Sequence, residues 1–530
     1  MTCFSRTLVS RLCVGLFALA STFSFAQLAP QGVSVLSQIP LSTFGSSSGN
    51  DCWGYVSPSG REYAIVGLNN KVAFVEVTNP TAPVLLQTIP HTSSTWGDIK
   101  VYGHYAYAVS EASGTGIQVI NMANIDNGVV TLVRTISSPG RSHNVVIDTD
   151  SGFLYTCGSR NGTGTTMCFS LANPANPVRV GANSMTTNYQ HDGQAVTYTS
   201  GPLAGKQLWF GCSEGRGVDI YDFTDKNNPV LIKRVVYPDM GYCHQAWLSA
   251  DRKYLYVDDE FDENELGVTT RSLIFNVEDP TKAVFVDSFT SGLNAVDHNQ
   301  YVVDGFTFQA NYRSGLRIFD VGLNPTAPVQ VGSYDTYPED NDAGYDGAWS
   351  NYPFLPSGRV IVSDIQGGMF LMDVTEATTR RMKPTVMAIP AGQVASGNLA
   401  SLFESDDDRL RILPKQVEGD RFNIKLVSTV TAFDNSPHRI QVCVEALTNH
   451  NDALQGIELF NWVTNEFESI DTRVIGLTEV ATVVTATGDL TRFVNPLTRE
   501  VKAQTKWSPS RATSDRLIVS IDQVQLRITR

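Results

Sequence analysis

A Trp or a His recurs seven times between residues 50 and 350, each time opening a strand-like run: Trp53, Trp96, His143, His191, His244, His298 and Trp349. Successive members lie 43 to 54 residues apart. Self-similarity at that period marks a repeat architecture, and about 40–50 residues per unit suits four short strands. Each repeat keeps one order. The opening strand leads through a turn, such as Ser57-Pro58-Ser59-Gly60, to an apolar and aromatic strand such as EYAIVG or YLYVDD. A third, alternating strand follows: GIQVINM, GVDIYDF, GLRIFDV or GMFLMDV. An Asn-Pro or Asp-Pro turn then leads to an outer strand; Pro presets φ there, and the Asn or Asp side chain bonds its own backbone.

The chain begins out of phase. VSVLSQIPL at residues 33–41 matches the outer-strand run VLLQTIPH that precedes Trp96, whereas the seventh repeat stops after GMFLMDV with no outer strand of its own. The first strand is therefore predicted to complete the seventh unit and close a ring, which protects sheet edges. The fold class is all-β: a seven-bladed β-propeller over residues 27–382, with an open β-solenoid as the alternative that the displaced strand disfavours. Residues 383–400 read as a linker. The short β runs over 401–530 lack the repeat signature and predict a β-sandwich domain.

Residues 1–26 read as a secretory signal peptide. Arg6 and Arg11 precede the apolar run Leu12–Phe23, and Ser24-Phe25-Ala26 is a small-x-small cleavage pattern. The net charge of −14 becomes −16 without those two arginines, which argues against nucleic acid or an anionic membrane as partner. No later stretch is apolar for the ~18 residues that a membrane span needs. The expected product is secreted or at the cell surface, and a monomer. An exported chain permits disulfides. Cys157 and Cys168 flank a Gly-rich turn, and Cys212 and Cys243 end neighbouring strands on one face, so each pair is a bridge candidate, with free buried thiols as the alternative.

Several runs go beyond the general pattern: SHNVVID, YQHDGQAV, GYCHQAWLS, DDEFDE, VDHNQYV, ANYRSGLRIFD and GAWSNYPFLPSG. With repeats like those named after the sequence Leu-Val-Ile-Val-Asp, they make residues 33–375 resemble the choice-of-anchor B family. The resemblance implies a secreted or surface propeller. It supplies no activity.

Chemistry is expected at the repeat position itself. A ring of blades gathers equivalent positions around one axis, so His143, His191, His244 and His298 are candidate ligands for Zn²⁺ or another transition metal. Packing between blades is the alternative, with Trp53, Trp96 and Trp349 filling the same place. Asp258, Asp259, Glu260 and Asp262 form the densest acidic run and are Ca²⁺ candidates, against a solvated loop. Trp53, Trp96, Trp349 and Arg313 are candidate ligand-binding residues, Arg313 through bidentate grip of a carboxylate or phosphate, against a plain salt bridge. His191 with Asp192 and His298 with Asp297 would make acid–base pairs, except that neighbours on a strand face opposite ways. Metalloprotease and phosphate-loop motifs are absent from the sequence. Two functions stay open: a non-enzymatic propeller that binds an extracellular protein or glycan, stabilised by a metal, or a metal-dependent hydrolase or lyase with a His-lined site at one end of the channel.

Overall fold

The computed structural model describes residues 28–159, 166–180, 188–415, 424–433, 435–511 and 516–530. The expected signal peptide lies outside them. Among the described residues, the first part of the chain forms seven four-stranded antiparallel sheets. Their inner strands are Gly49–Val56, Gly97–Tyr102, Asn144–Asp148, Asp192–Thr197, Cys243–Leu248, Gln300–Val303 and Ala348–Tyr352. Each inner strand packs against the one before and the one after, and the last packs against the first. The sheets therefore circle one axis, as the blades of a β-propeller.

Closure is made by the first strand. Ser34–Ile39 pairs antiparallel with Gly368–Asp373, with Ser34 opposite Asp373 and Ile39 opposite Met369. It occupies the outer place of the sheet whose other strands come from the end of the repeat region. Ile39, Cys52, Leu68, Ile361 and Leu371 share one core across the first and last sheets, so the seam is apolar as well as hydrogen-bonded.

Burial explains the sequence pattern. A blade is covered on both faces by its neighbours, so its middle strands bury every side chain: Glu62–Leu68 and Gln207–Cys212 are buried throughout. Hence their near-continuous apolar runs. The outer strand Val129–Ile136 is largely exposed. The glycines that open the third strands have a specific cause. Gly217, Gly315 and Gly368 sit at φ of 87°, 72° and 88°. A Cβ there would come within 2.3 Å of the Val235 carbonyl, 2.2 Å of the Tyr334 carbonyl and 2.3 Å of the Ile39 carbonyl, respectively. In each case the obstacle is the outer strand, so the first strand meets the last blade as an ordinary outer strand meets its own.

The C-terminal part forms two antiparallel sheets, one containing Val519–Thr529, Arg439–Thr448 and Leu410–Leu413, the other Ile424–Thr431, Glu500–Pro509 and Ala453–Asn461. Leu410, Ile457, Trp507 and Ile528 belong to one core between them. The stretch expected as a linker is structured: Val386–Ala391 and Gln393–Ser396 are strands of these sheets. The Arg530 guanidinium donates to the Pro353 carbonyl at 2.6 Å and ties this part to the propeller. Among the described residues no helix is long and apolar enough to cross a membrane.

Gly315→Ala combines a left-handed backbone with a carbonyl clash. It is expected to cost more than ~1 kcal/mol, read as a thermal midpoint lowered by several degrees. Deleting residues 28–40 bares the edge of Gly368–Asp373; size-exclusion chromatography should show association that the full chain lacks.

Candidate functional site

The four histidines share one rim. His143 and His191 immediately precede their inner strands, His244 is the second residue of Cys243–Leu248, and His298 lies just before Gln300–Val303. Their rings follow each other at centroid distances of 4.2, 4.3 and 4.4 Å, and the row ends on Tyr312 at 4.5 Å from His298.

One nitrogen of each ring is already engaged. His191 Nδ1 lies 3.1 Å from the His244 carbonyl, and His298 Nδ1 lies 2.5 Å from the Trp349 carbonyl. A carbonyl only accepts, so Nδ1 carries the proton in both rings. His143 Nδ1 meets Glu111 Oε1 at 2.7 Å, and His244 Nδ1 meets Asp258 Oδ1 at 2.7 Å. Carboxylate and carbonyl partners on the far nitrogen are the arrangement that orients metal-ligating imidazoles.

The other edge of the row meets Glu260. Its carboxylate lies 3.7 Å from His244 Nε2 and 3.8 Å from His298 Nε2, and accepts from the Tyr312 hydroxyl at 2.7 Å. Ligand atoms of His191, His244 and Glu260 all fall within 4.8 Å of one another. Burial pushes the Glu260 carboxyl up to about 7. Burial also lowers His298 to about 3, and burial followed by the neighbouring imidazoles lowers His244. Burial thus favours the neutral form of His244 and His298, the form in which imidazoles bind metals. The rim opens into a cavity of about 540 Å³, lined also by Trp96, Tyr189, Tyr242, Tyr345 and Trp349.

The other expected residues disperse. Asp258 holds His244. Asp259 accepts from the Tyr237 hydroxyl at 2.7 Å and from the Gly241 and Tyr242 amides at 2.9 and 2.5 Å. Glu260 enters the histidine cavity, and Asp262 pairs with Arg271 Nε at 2.6 Å. The four do not converge on one ion, because alternation along Tyr254–Asp259 and the helical turn at Asp262–Leu266 send them different ways. Arg313 is occupied by Asp346 at 2.5 Å and Asp340 at 2.9 Å, a salt bridge rather than an anion grip. Trp349 and Trp96 line the histidine cavity; Trp53 does not. It stands opposite Ile65, the place that Lys100 holds opposite Tyr107 in the next repeat, so Trp53 is several residues further along its strand than Trp96.

Trp53 lines a second cavity of about 540 Å³ at the opposite ends of the inner strands, with Lys100, Asp192, Trp247, Tyr301 and Phe354. Lys100 Nζ lies 4.5 Å from the Trp53 ring centre and 2.5 Å from Asp98 Oδ1. Burial disfavours its ammonium, but Asp98, Asp51 and Asp192 outweigh that and hold its pKa up. Burial and Asp98 push Asp192 up to about 7. His191 and Asp192 therefore serve different cavities.

Sequence reasoning missed Glu111, Tyr242 and Tyr312 at the rim. Glu111, Glu260 and Tyr312 follow the second strands Tyr105–Ser110, Tyr254–Asp259 and Phe306–Ala310. That equivalent position was the available signal.

Residues 301–336 match the family model of the LVIVD repeat. A search of curated proteins finds no relative. Among solved structures the chain is similar to U3-55K, at 9% identity and a TM-score of 0.45, over 66% of this chain and 99% of that one. It is similar to the β-propeller domain of Cps50 (Swd1) from Myceliophteria thermophila, at 11% identity and a TM-score of 0.42, over 61% and 96%. It is also similar to a functionally unknown protein from Desulfotomaculum acetoxidans, at 14% identity and a TM-score of 0.40, over 56% and 88%.

All four bridge-candidate cysteines are buried free thiols in the structure. Cys168 stands opposite Tyr155, so Cys157 is its diagonal neighbour, about 7–8 Å away in such a pair and beyond bridging distance. Burial, followed by the neighbouring Cys243 thiol, raises Cys212. Burial raises Cys157, and pushes Cys168 up to about 12. Both are expected to resist alkylation in the native chain and to be labelled fully after unfolding without reductant, as read by intact mass.

Proposed function

We propose that this chain is an exported repeat propeller that holds a divalent transition metal at its histidine rim and presents it to an extracellular protein or glycan entering the adjoining cavity. The observation that carries this reading is the row of four imidazoles, each held through Nδ1, beside a carboxylate that meets two of their Nε2 atoms. Nitrogen donors with one carboxylate suit zinc or a neighbouring first-row metal. Packing between blades explains buried rings, but not the in-facing Glu260. Export and a surface location are supported by the leader-like residues 1–26 and by the resemblance to the choice-of-anchor B family. The C-terminal part, read as a β-sandwich, serves as spacer or second binding module.

Purified full-length chain is expected to carry a transition metal by elemental analysis, at about one ion per chain. The double substitution His191→Ala/His244→Ala should empty it. Asp258→Asn, which leaves all four imidazoles in place, should weaken metal affinity by about 10–100-fold. A metal-free chain that takes up no zinc, with a melting temperature indifferent to chelator, would sink the proposal.

A second reading, a metal-dependent hydrolase or lyase, is favoured by one observation. His191, His244 and Glu260 are three ligands at the wall of an open cavity, and three-ligand sites leave a position for water or substrate. Turnover abolished by chelator and restored by metal would distinguish it from simple binding.

A further inference from the structure

The cavity that Trp53 lines has two unlike halves. All seven inner strands contribute to its wall. The first, fifth, sixth and seventh place aromatic rings there: Trp53, Trp247, Tyr301 and Tyr352. Tyr301 meets both indoles edge-on, 5.6 Å from Trp53 and 4.9 Å from Trp247, and Tyr352 meets Trp53 edge-on at 4.9 Å. Such contacts fix the rings in place. Tyr301 is buried by them, while the two indoles stay half-buried. The second and fourth strands place polar groups in the wall instead: Lys100, Asp192 and Gln194. Asp192 Oδ1 accepts from the Gly193 amide at 2.7 Å, and Gln194 Oε1 accepts from the Leu248 amide at 2.9 Å. Both side chains are therefore oriented, and both are only half-buried.

The charges restrict what can enter. Lys100 Nζ meets Asp98 at 2.5 Å, lies 3.8 Å from Asp51 and stands 4.5 Å from the Trp53 ring centre. A cationic ligand caged by these rings would crowd a second cation against Trp53. An anionic ligand reaching for Lys100 would meet Asp98, Asp51 and Asp192. A neutral ligand escapes both penalties. It needs an apolar face for the indoles and hydroxyls for the carboxylate and amide, and a sugar ring has C–H groups on its face and hydroxyls around its edge. We infer that this cavity is a carbohydrate site, taking a neutral mono- or oligosaccharide at the end of the propeller opposite the histidines. Its volume of about 540 Å³ is that of a small-molecule site. Trp247 packs on the sugar face, Asp192 accepts from hydroxyls, and the Gln194 amide N–H groups donate to them. Because these groups are held before the ligand arrives, little ordering cost remains. The site depends neither on a metal at the rim nor on what enters the cavity there.

The full chain should be screened against an array of neutral glycans, with sialylated and sulfated glycans as the anionic arm and choline as the cationic arm. Neutral glycans should bind and quench tryptophan fluorescence; the charged probes should not. Trp247→Ala should weaken the best neutral glycan by at least about tenfold, and Trp247→Phe, which keeps a ring, by less. Asp192→Asn should weaken it by about tenfold, since a charged acceptor is lost. If Trp247→Ala does not fold, the other two variants decide. The rim variant His191→Ala/His244→Ala should bind the glycan unchanged. No neutral glycan bound, a preference for either charged arm, or an affinity unmoved by the Trp247 and Asp192 variants would overturn the inference. So would loss of binding in the rim variant, which would put the sugar in the histidine cavity instead.

Discussion

The antiparallel pairing of Ser34–Ile39 with Gly368–Asp373 is the interaction on which the rest depends. Without it the seventh sheet lacks its outer strand and the apolar seam around Ile39 and Leu371 opens. With it, the inner strands are fixed around a common axis. Four side chains from four different repeats then meet within a few ångströms, although 155 residues of chain separate the first from the last. The geometry of the rim is a product of closure, not of any local motif.

What closure brings together is chemically uneven. At one end of the inner strands stand imidazoles held by carbonyls and carboxylates, with Glu260 beside the Nε2 atoms of His244 and His298. At the other end stand Lys100, Asp98, Asp192 and the ring of Trp53. His191 and Asp192, adjacent in sequence, line different cavities. Strand alternation thus lets one repeat unit supply two chemistries without conflict.

The propeller was legible in the sequence because its signals are periodic and local: turn residues at fixed places, buried middle strands as apolar runs, and a glycine before each of several third strands. The displaced first strand was legible because its Gln and Ile-Pro match the outer strand before Trp96. The rim histidines were legible as a repeated position. Trp53 was misassigned because aromatic identity was taken for register, and only the pairing with Ile65 reveals the offset. The acidic run was read as one site because its members are adjacent in sequence. Adjacency is a poor guide where strand turns into helix. Glu111 and Tyr312 were readable as the position that follows each second strand, but their partners were not, because these lie in other blades.

The closing contact also orders events in time. Gln38 donates to the Gly367 carbonyl across 329 residues of chain. The entropic cost of closing so long a loop rises only slowly with its length, so the contact is thermodynamically accessible despite the distance. It is nevertheless unavailable until the seventh repeat exists. The segment made first is therefore the last to be satisfied. A chain that ends early is not a smaller propeller but an unlatched one, with Ser34–Ile39 left unpaired. Completeness of synthesis is written into the fold.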